Sequence, residues 1–182
     1  MRACGAREVY LIVMLDVRDL IVDYPDGTRA VDGVSFSLDA GESVALIGAN
    51  GAGKTSLLLA LVGVLPTAGG EISAGGKALD KKSLREIRSR IGLVFQNPDD
   101  QLFMPNIFED VAFGPQSFGC DEKETEERVK NSLAGLGIEH LSERSPLKLS
   151  GGEKRLAAIA TVIAMRPDCL LFSGYRESFC HQ

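Results

Sequence analysis

The chain has no apolar run near the roughly 18–20 residues needed to cross a bilayer as a helix, although 45% of its 182 residues are hydrophobic. Its four cysteines (Cys4, Cys120, Cys169 and Cys180) are scattered without a C-x-x-C pair. That spacing provides neither a zinc site nor a disulfide framework and suits a reducing cytoplasm. A basic excess is missing too. With 20 Lys and Arg against 25 Asp and Glu and a formal net charge of −5, no basic stripe is available to meet a nucleic acid. Docking on a membrane protein stays open. At the start, Arg2 and Arg7 precede apolar residues 9–15 in the manner of a signal peptide, but no small-residue cleavage site follows Asp16. The simpler reading takes Met14 as the start, residues 1–14 as an extension, and Leu15 to Leu20 as the opening of the first strand.

Patterning then predicts an α/β core. Val17 to Tyr24 alternates apolar and polar residues as a strand does and ends in the turn Pro25-Asp26-Gly27. Val31 to Leu38 reads as a second strand, and Ser43 to Ile47 as a buried third. Lys54 to Val64 is an apolar helix. The pairs Gly69-Gly70 and Gly75-Gly76 bracket a short hairpin, Leu84 to Arg90 forms a short helix, and Ile91 to Phe95 another strand. Prolines at 98, 105 and 115 then change the texture, and Asp121 to Leu136 reads as an acidic amphipathic helix whose charges form a solvated face. Residues 97–149 therefore read as a helical lobe inserted into a strand-rich core. Leu156, Ile159, Ala160 and Ile163 follow at helical spacing.

The most specific local signal is Gly48-Ala49-Asn50-Gly51-Ala52-Gly53-Lys54-Thr55, a G-x-x-x-x-G-K-[ST] loop between an expected strand and an expected helix. Glycines let such a backbone turn its N–H groups inward around phosphate oxygens, and the following helix points its positive end at the same anion. Lys54 brings a cation to the outer phosphates and Thr55 a hydroxyl ligand for Mg²⁺. The expected nucleotide contacts run from Gly48 through Thr55 to Ser56, with ATP and Mg²⁺ as cofactors.

Further along, Leu149-Ser150-Gly151-Gly152-Glu153 opens the helix through Leu156. With the glycine loop and Gln96 in Leu93-Val94-Phe95-Gln96-Asn97-Pro98, it stands in the order found in ATP-binding subunits of ABC transporters, which the chain resembles. The resemblance implies a P-loop ATPase core with an antiparallel β subdomain and an inserted helical subdomain, over residues 15–172. It also implies that Tyr24 stacks on adenine, that Gln96 senses the γ-phosphate and joins Thr55 at Mg²⁺, and that the pentamer Leu149–Glu153 serves the ATP of a second subunit packed head to tail. Tyr24-Pro25-Asp26-Gly27, Phe95 to Phe103 and the Lys154-Arg155 extension resemble the energy-coupling-factor group, which serves cobalt, nickel, biotin and other vitamin importers. That similarity implies a peripheral subunit on the cytoplasmic face, held by an integral membrane coupling protein.

The pattern departs from the family after Phe172. Where the family has Asp-Glu-Pro, the Asp holding Mg²⁺ through water and the Glu polarising the attacking water, this chain has Ser173, Gly174 and Tyr175. Asp168 begins the strand and Glu177 lies beyond it, so neither substitutes without a register shift. His181 does not match the family's switch histidine, which lies further along. The tail 173–182 has no recognisable pattern, so a frameshift or truncation with the C-terminal part of the fold missing is expected. With it goes an exposed apolar strand edge and poor solubility alone. Two functions remain: the ATPase subunit of a metal-ion or vitamin importer, impaired in hydrolysis, or a non-catalytic ATP-binding partner lending its signature to an intact subunit. Chromosome-maintenance ATPases would need a long coiled coil where only a short lobe separates Gln96 from Leu149.

Overall fold

The computed structural model describes residues 13–174. The extension up to residue 12 and the tail from Tyr175, with Glu177 and His181, lie outside the described residues. Strand β1 (Val13–Asp23) begins ahead of the expected Leu15 and buries Leu15 and Val17, then Leu20 and Val22. The inward parity changes between Val17 and Leu20, where the register against β2 (Arg29–Asp39) also shifts. Asp19 sits there at φ 46, its N–H donating to Ser35 Oγ at 2.7 Å. This bulge turns both halves of the strand toward one core. The β1–β2 turn closes as expected at Pro25-Asp26-Gly27, where the Asp26 carboxylate accepts the Thr28 N–H at 2.9 Å, the local bond that favours Asp in turns.

Strands β3 (Gly69–Ala74) and β4 (Lys77–Ala78) complete a four-stranded antiparallel sheet of order β2-β1-β3-β4. Gly75 and Gly76 are the turn of the β3–β4 hairpin, inside it rather than at its outer boundary. Helix α1 (Lys54–Leu61) ends short of the expected Val64 because Gly63 takes φ 65. Helix α2 (Leu84–Arg90) leads directly into β5 (Ile91–Val94), which pairs in parallel with β6 (Cys169–Phe172) as a separate sheet. Residues of β1, β3, α1, α2, β5 and β6, among them Leu57, Leu61, Ile87 and Cys169, bury one apolar cluster.

Between β5 and β6 the chain is helical: α3 (Ile107–Ser117), α4 (Glu122–Gly135) and α5 (Gly151–Ile163). They enclose a second cluster around Ile107, Val111, Val129, Leu133, Leu141 and Ala157. Glu126 pairs with Lys130 at i,i+4 on the solvated face of α4. Arg128, paired with Glu124, is instead largely buried and also donates to the Ala164 carbonyl at the end of α5 at 3.4 Å, so not all the charges of α4 lie on the expected solvated face.

One expected element does not form. Ser43 to Ile47 is not a strand, and every residue in it is exposed, Ile47 at 93%. A strand needs a hydrogen-bonding neighbour, and among the described residues neither sheet pairs with this segment. Apolar content alone identified it, and that content now faces solvent. We expect Val44→Thr with Ile47→Thr to lower aggregation, measured by static light scattering. The unfolding free energy should stay within about 0.5 kcal/mol of the parent, as for surface changes that touch no core.

Candidate functional site

The glycine loop leads into α1 at Gly53, which caps the helix at φ 81 without any side-chain acceptor. No other residue fits there: a Cβ would lie 2.0 Å from the Ala30 carbonyl oxygen of β2. Gly51 also takes a positive φ, 82. The first turn of α1 carries no acidic side chain, so its free N–H groups and positive dipole end are uncompensated. Lys54 Nζ donates to the carbonyls of Gly48 and Ala49, both at 2.7 Å, folding the cation across the loop. Ala49, Asn50, Ala52 and Thr55 are exposed. Ser56 is buried, and its hydroxyl lies 2.7 Å from that of Tyr24. Tyr24, 38% exposed, is thereby tied to the first turn of α1.

Ser150 caps α5 in a reciprocal box. Its Oγ accepts the Glu153 N–H at 3.4 Å, and the Glu153 carboxylate accepts the Ser150 N–H at 2.8 Å and its hydroxyl at 2.7 Å. These bonds, the hydroxyl first, hold the Glu153 carboxyl below its ordinary range. Gly151 and Gly152 are exposed with open space at their Cα hydrogens. Leu149 is buried beneath them. This helix start opens on a groove shared with Asn97, Asp99, Lys154 and Arg155.

Gln96 leaves the end of β5 beside the end of β6. The Ser173 N–H donates to the Val94 carbonyl at 2.9 Å and Ser173 is buried. The Gln96 side chain covers Gly174, where a Cβ would meet its Cδ and Oε1 at 2.3 Å. The two positions expected to carry the acidic pair therefore do sit against Gln96, but they bring a hydroxyl and a bare Cα. Asp168 is at the other end of β6, its N–H on the Arg90 carbonyl at 2.8 Å and its carboxylate 3.7 Å from the Arg90 guanidinium, which keeps it from substituting.

Three residues to which the sequence assigned no individual role hold this region. Gln101 bonds to both Phe95 and α5, and Asp99 pairs with Lys154 at 2.5 Å. Asp110 is buried in α3, and its Oδ1 accepts the N–H groups of Phe103 and Met104 at 2.9 and 3.0 Å. Asp110 had a readable signal: with Ile107 and Val111 at helical spacing it falls on the apolar face. The contacts of Gln101 and Asp99 with α5 cross 55 or more residues of sequence, beyond the reach of any spacing rule.

A glycine loop feeding an uncapped helix beside a cation defines a P-loop nucleotide-binding fold. Residues 31–172 match the family model for ABC transporters, and the chain belongs to that family. It is 51% identical over 158 residues to an ABC transporter ATP-binding protein of Geobacter sulfurreducens, covering 87% of this chain and 64% of that protein. To the energy-coupling factor transporter ATP-binding protein EcfA of Methanothermobacter thermautotrophicus it is 49% identical over 160 residues, 87% of this chain and 51% of the relative. The solved structure of cbiO1 from Clostridium perfringens, part of the ABC transporter complex cbiONQ, superposes with a TM-score of 0.77 at 38% identity, covering 88% of this chain and 64% of that one. The chain thus spans about half to two thirds of the length of these proteins. Its fold is that of ABC ATP-binding subunits, and among the described residues no helix is long and apolar enough to cross a membrane.

Two outcomes follow from the geometry. Gly53→Ala should lower the unfolding free energy by about 1–3 kcal/mol, the scale of a strained backbone position, in chemical denaturation. For Asp110, burial first pushes the carboxyl up from 3.8, against the Phe103 and Met104 N–H groups. A carboxyl raised in the fold binds its proton more tightly there, so its stabilising contribution is present below the unfolded pKa and lost as pH rises through the folded one. Asp110→Asn retains an acceptor for both N–H groups and does not titrate. The stability of the parent relative to this variant should therefore fall with rising pH across that window, and a flat difference would refute the assignment.

Proposed function

We propose that this chain is the ATP-binding subunit of an energy-coupling-factor type ABC importer for a metal ion or vitamin, binding ATP but impaired in its hydrolysis. The observation that carries the reading is the loop at Gly48–Thr55, preformed around an uncapped helix end with Lys54 folded over it. The N–H groups of the loop and Lys54 would hold the triphosphate, Thr55 and Gln96 would offer neutral oxygens to Mg²⁺, and Tyr24 would stack on adenine. This donor set fits Mg²⁺ only together with nucleotide: it brings no carboxylate, so the charge must be balanced by phosphate oxygens. Bound Mg-ATP supplies the phosphoanhydride, and this chain supplies binding and orientation.

Ser173 and Gly174 favour the second reading, a non-catalytic partner. At the position facing Gln96 no side chain can accept a proton from water. Loss of a general base costs on the order of 10²–10⁴ in rate. In that role Ser150, Gly151 and Gly152 would meet the ATP of a second ATP-binding subunit, in a homo- or heterodimer docked peripherally on an integral membrane coupling subunit at the cytoplasmic face.

The test is nucleotide retention and Mg²⁺-dependent turnover measured side by side on the purified chain. We expect binding of ATP without turnover, and loss of that binding in Lys54→Ala. Turnover that Lys54→Ala abolishes would instead establish catalysis by this chain alone.

A further inference from the structure

Gln101, just after the helical turn Pro98–Asp100, joins two elements that the nucleotide reading treats separately. Its Oε1 accepts the Phe95 N–H at 3.0 Å. Its Nε2 donates to the Ala158 carbonyl and to Thr161 Oγ1, both at 2.7 Å. The Thr161 hydroxyl in turn donates to the Ala158 carbonyl at 2.8 Å. A primary amide has an acceptor at one corner and two donor hydrogens at the other, and here each corner engages a different element. Phe95 lies past the end of β5, where the ladder to β6 has stopped, so Gln101 supplies the acceptor that the sheet does not. The Phe95 end of this tie is exposed, whereas the two bonds into α5 are part-buried, where leaving a donor unpaired is costly. The Asp99–Lys154 pair adds a second, more exposed bridge from the same turn to the start of α5.

We infer that Gln101 is a positioning residue that locks the Gln96 loop to the middle of α5, so that Gln96 and the helix start at Ser150–Glu153 move as one body. Between Ala158 and Gly151 the chain is continuous α-helix, stiff over that length. With the hinge after Val94 closed by Gln101, a displacement of Gln96 tilts α5 instead of bending the loop. The state of the nucleotide on one face then reaches the signature that faces a second subunit. The inference rests on the proposed reading that Gln96 meets the nucleotide and Ser150–Glu153 the partner's.

Amide hydrogen exchange on the full chain, with and without Mg²⁺ and the slowly hydrolysed analogue ATPγS, tests it. In the parent, nucleotide should slow exchange over residues 48–55 and over residues 150–156. Gln101→Met, which keeps the length of the side chain and removes its bonds, should retain the first slowing and lose the second. Gln101→Glu keeps the acceptor for Phe95 but sets a carboxylate oxygen against the Ala158 carbonyl, and should lose it too. Thr161→Ser preserves the hydroxyl and should transmit as the parent does. If Gln101→Met does not fold, Thr161→Val carries the test, with partial loss expected and unchanged transmission overturning the inference. Transmission through Gln101→Met equal to the parent, or slowing at 48–55 without any at 150–156 in the parent, overturns it as well. Absence of slowing at 48–55 in the parent would defeat the nucleotide reading itself, and the coupling with it.

Discussion

The parallel pairing of Ile91–Val94 with Cys169–Phe172 is the constraint on which the rest of the site depends. Parallel neighbours cannot be joined by a tight turn, so the chain between them must cross over. Here that crossover is the whole helical segment from α3 to α5. One arrangement thus delivers Gln96 at the end of β5, Ser173 and Gly174 at the end of β6, and α5 lying across both. The fit is close: a Cβ at Gly92 would come within 2.3 Å of Val162 Cγ1, so α5 rests directly on the backbone of β5. Gln101 bonds from the loop into the same helix, at Ala158 and Thr161.

The two helix starts are prepared for anions in different ways. At α1 no side chain among the described residues caps the N–H groups, and Lys54 adds positive charge. At α5 the Ser150–Glu153 box satisfies the N–H groups of Ser150 and Glu153 internally. It leaves those of Gly151 and Gly152, which by their position in the first turn have no intrahelical acceptor. The first site is therefore a strong receptor for a polyanion. The second is weaker, a pair of amides and a hydroxyl beside a carboxylate, suited to completing a site built mainly elsewhere. That asymmetry accords with assigning the triphosphate to Gly48–Thr55 and a partner-facing role to Leu149–Glu153.

What was legible in the sequence was local. Helix α2 matches its expected bounds, α4 is capped by Asp121 where the acidic run begins, and α5 starts at the signature because Ser150 and Glu153 have capping-box spacing. The hairpin at Pro25-Asp26-Gly27 was legible because Asp and Gly have specific roles in turns. Strand status for Ser43–Ile47 was not, since it depends on a neighbour and not on the segment itself. The bulge at Asp19 was hidden as well, because two alternating runs of opposite parity look like one strand until the partner's register is known. The ties of Gln101 and Asp99 to α5 depend on tertiary distance, which no spacing rule encodes.

The exposure of Ser43–Ile47 also shows what holds the glycine loop in shape. A loop strung between a strand and a helix would be expected to take its geometry from both. Here the strand side has no sheet contact among the described residues, yet Gly51 and Gly53 hold φ 82 and 81. The anchors lie on the helix side. Leu57, Leu58 and Leu61 fix α1 in the core, Gly53 is pressed against the Ala30 carbonyl of β2, and the Tyr24–Ser56 contact pins the first turn to the end of β1. Lys54 then reaches back to Gly48 and Ala49 and closes the half that no strand supports. Those two bonds place the ammonium on carbonyl acceptors. A phosphate oxygen is the stronger, charge-assisted acceptor, so an arriving triphosphate would draw Lys54 off the carbonyls and take over the bridging it now performs. On this argument the nucleotide completes the loop's support as well as occupying it, and the segment before Gly48 should gain most from its binding.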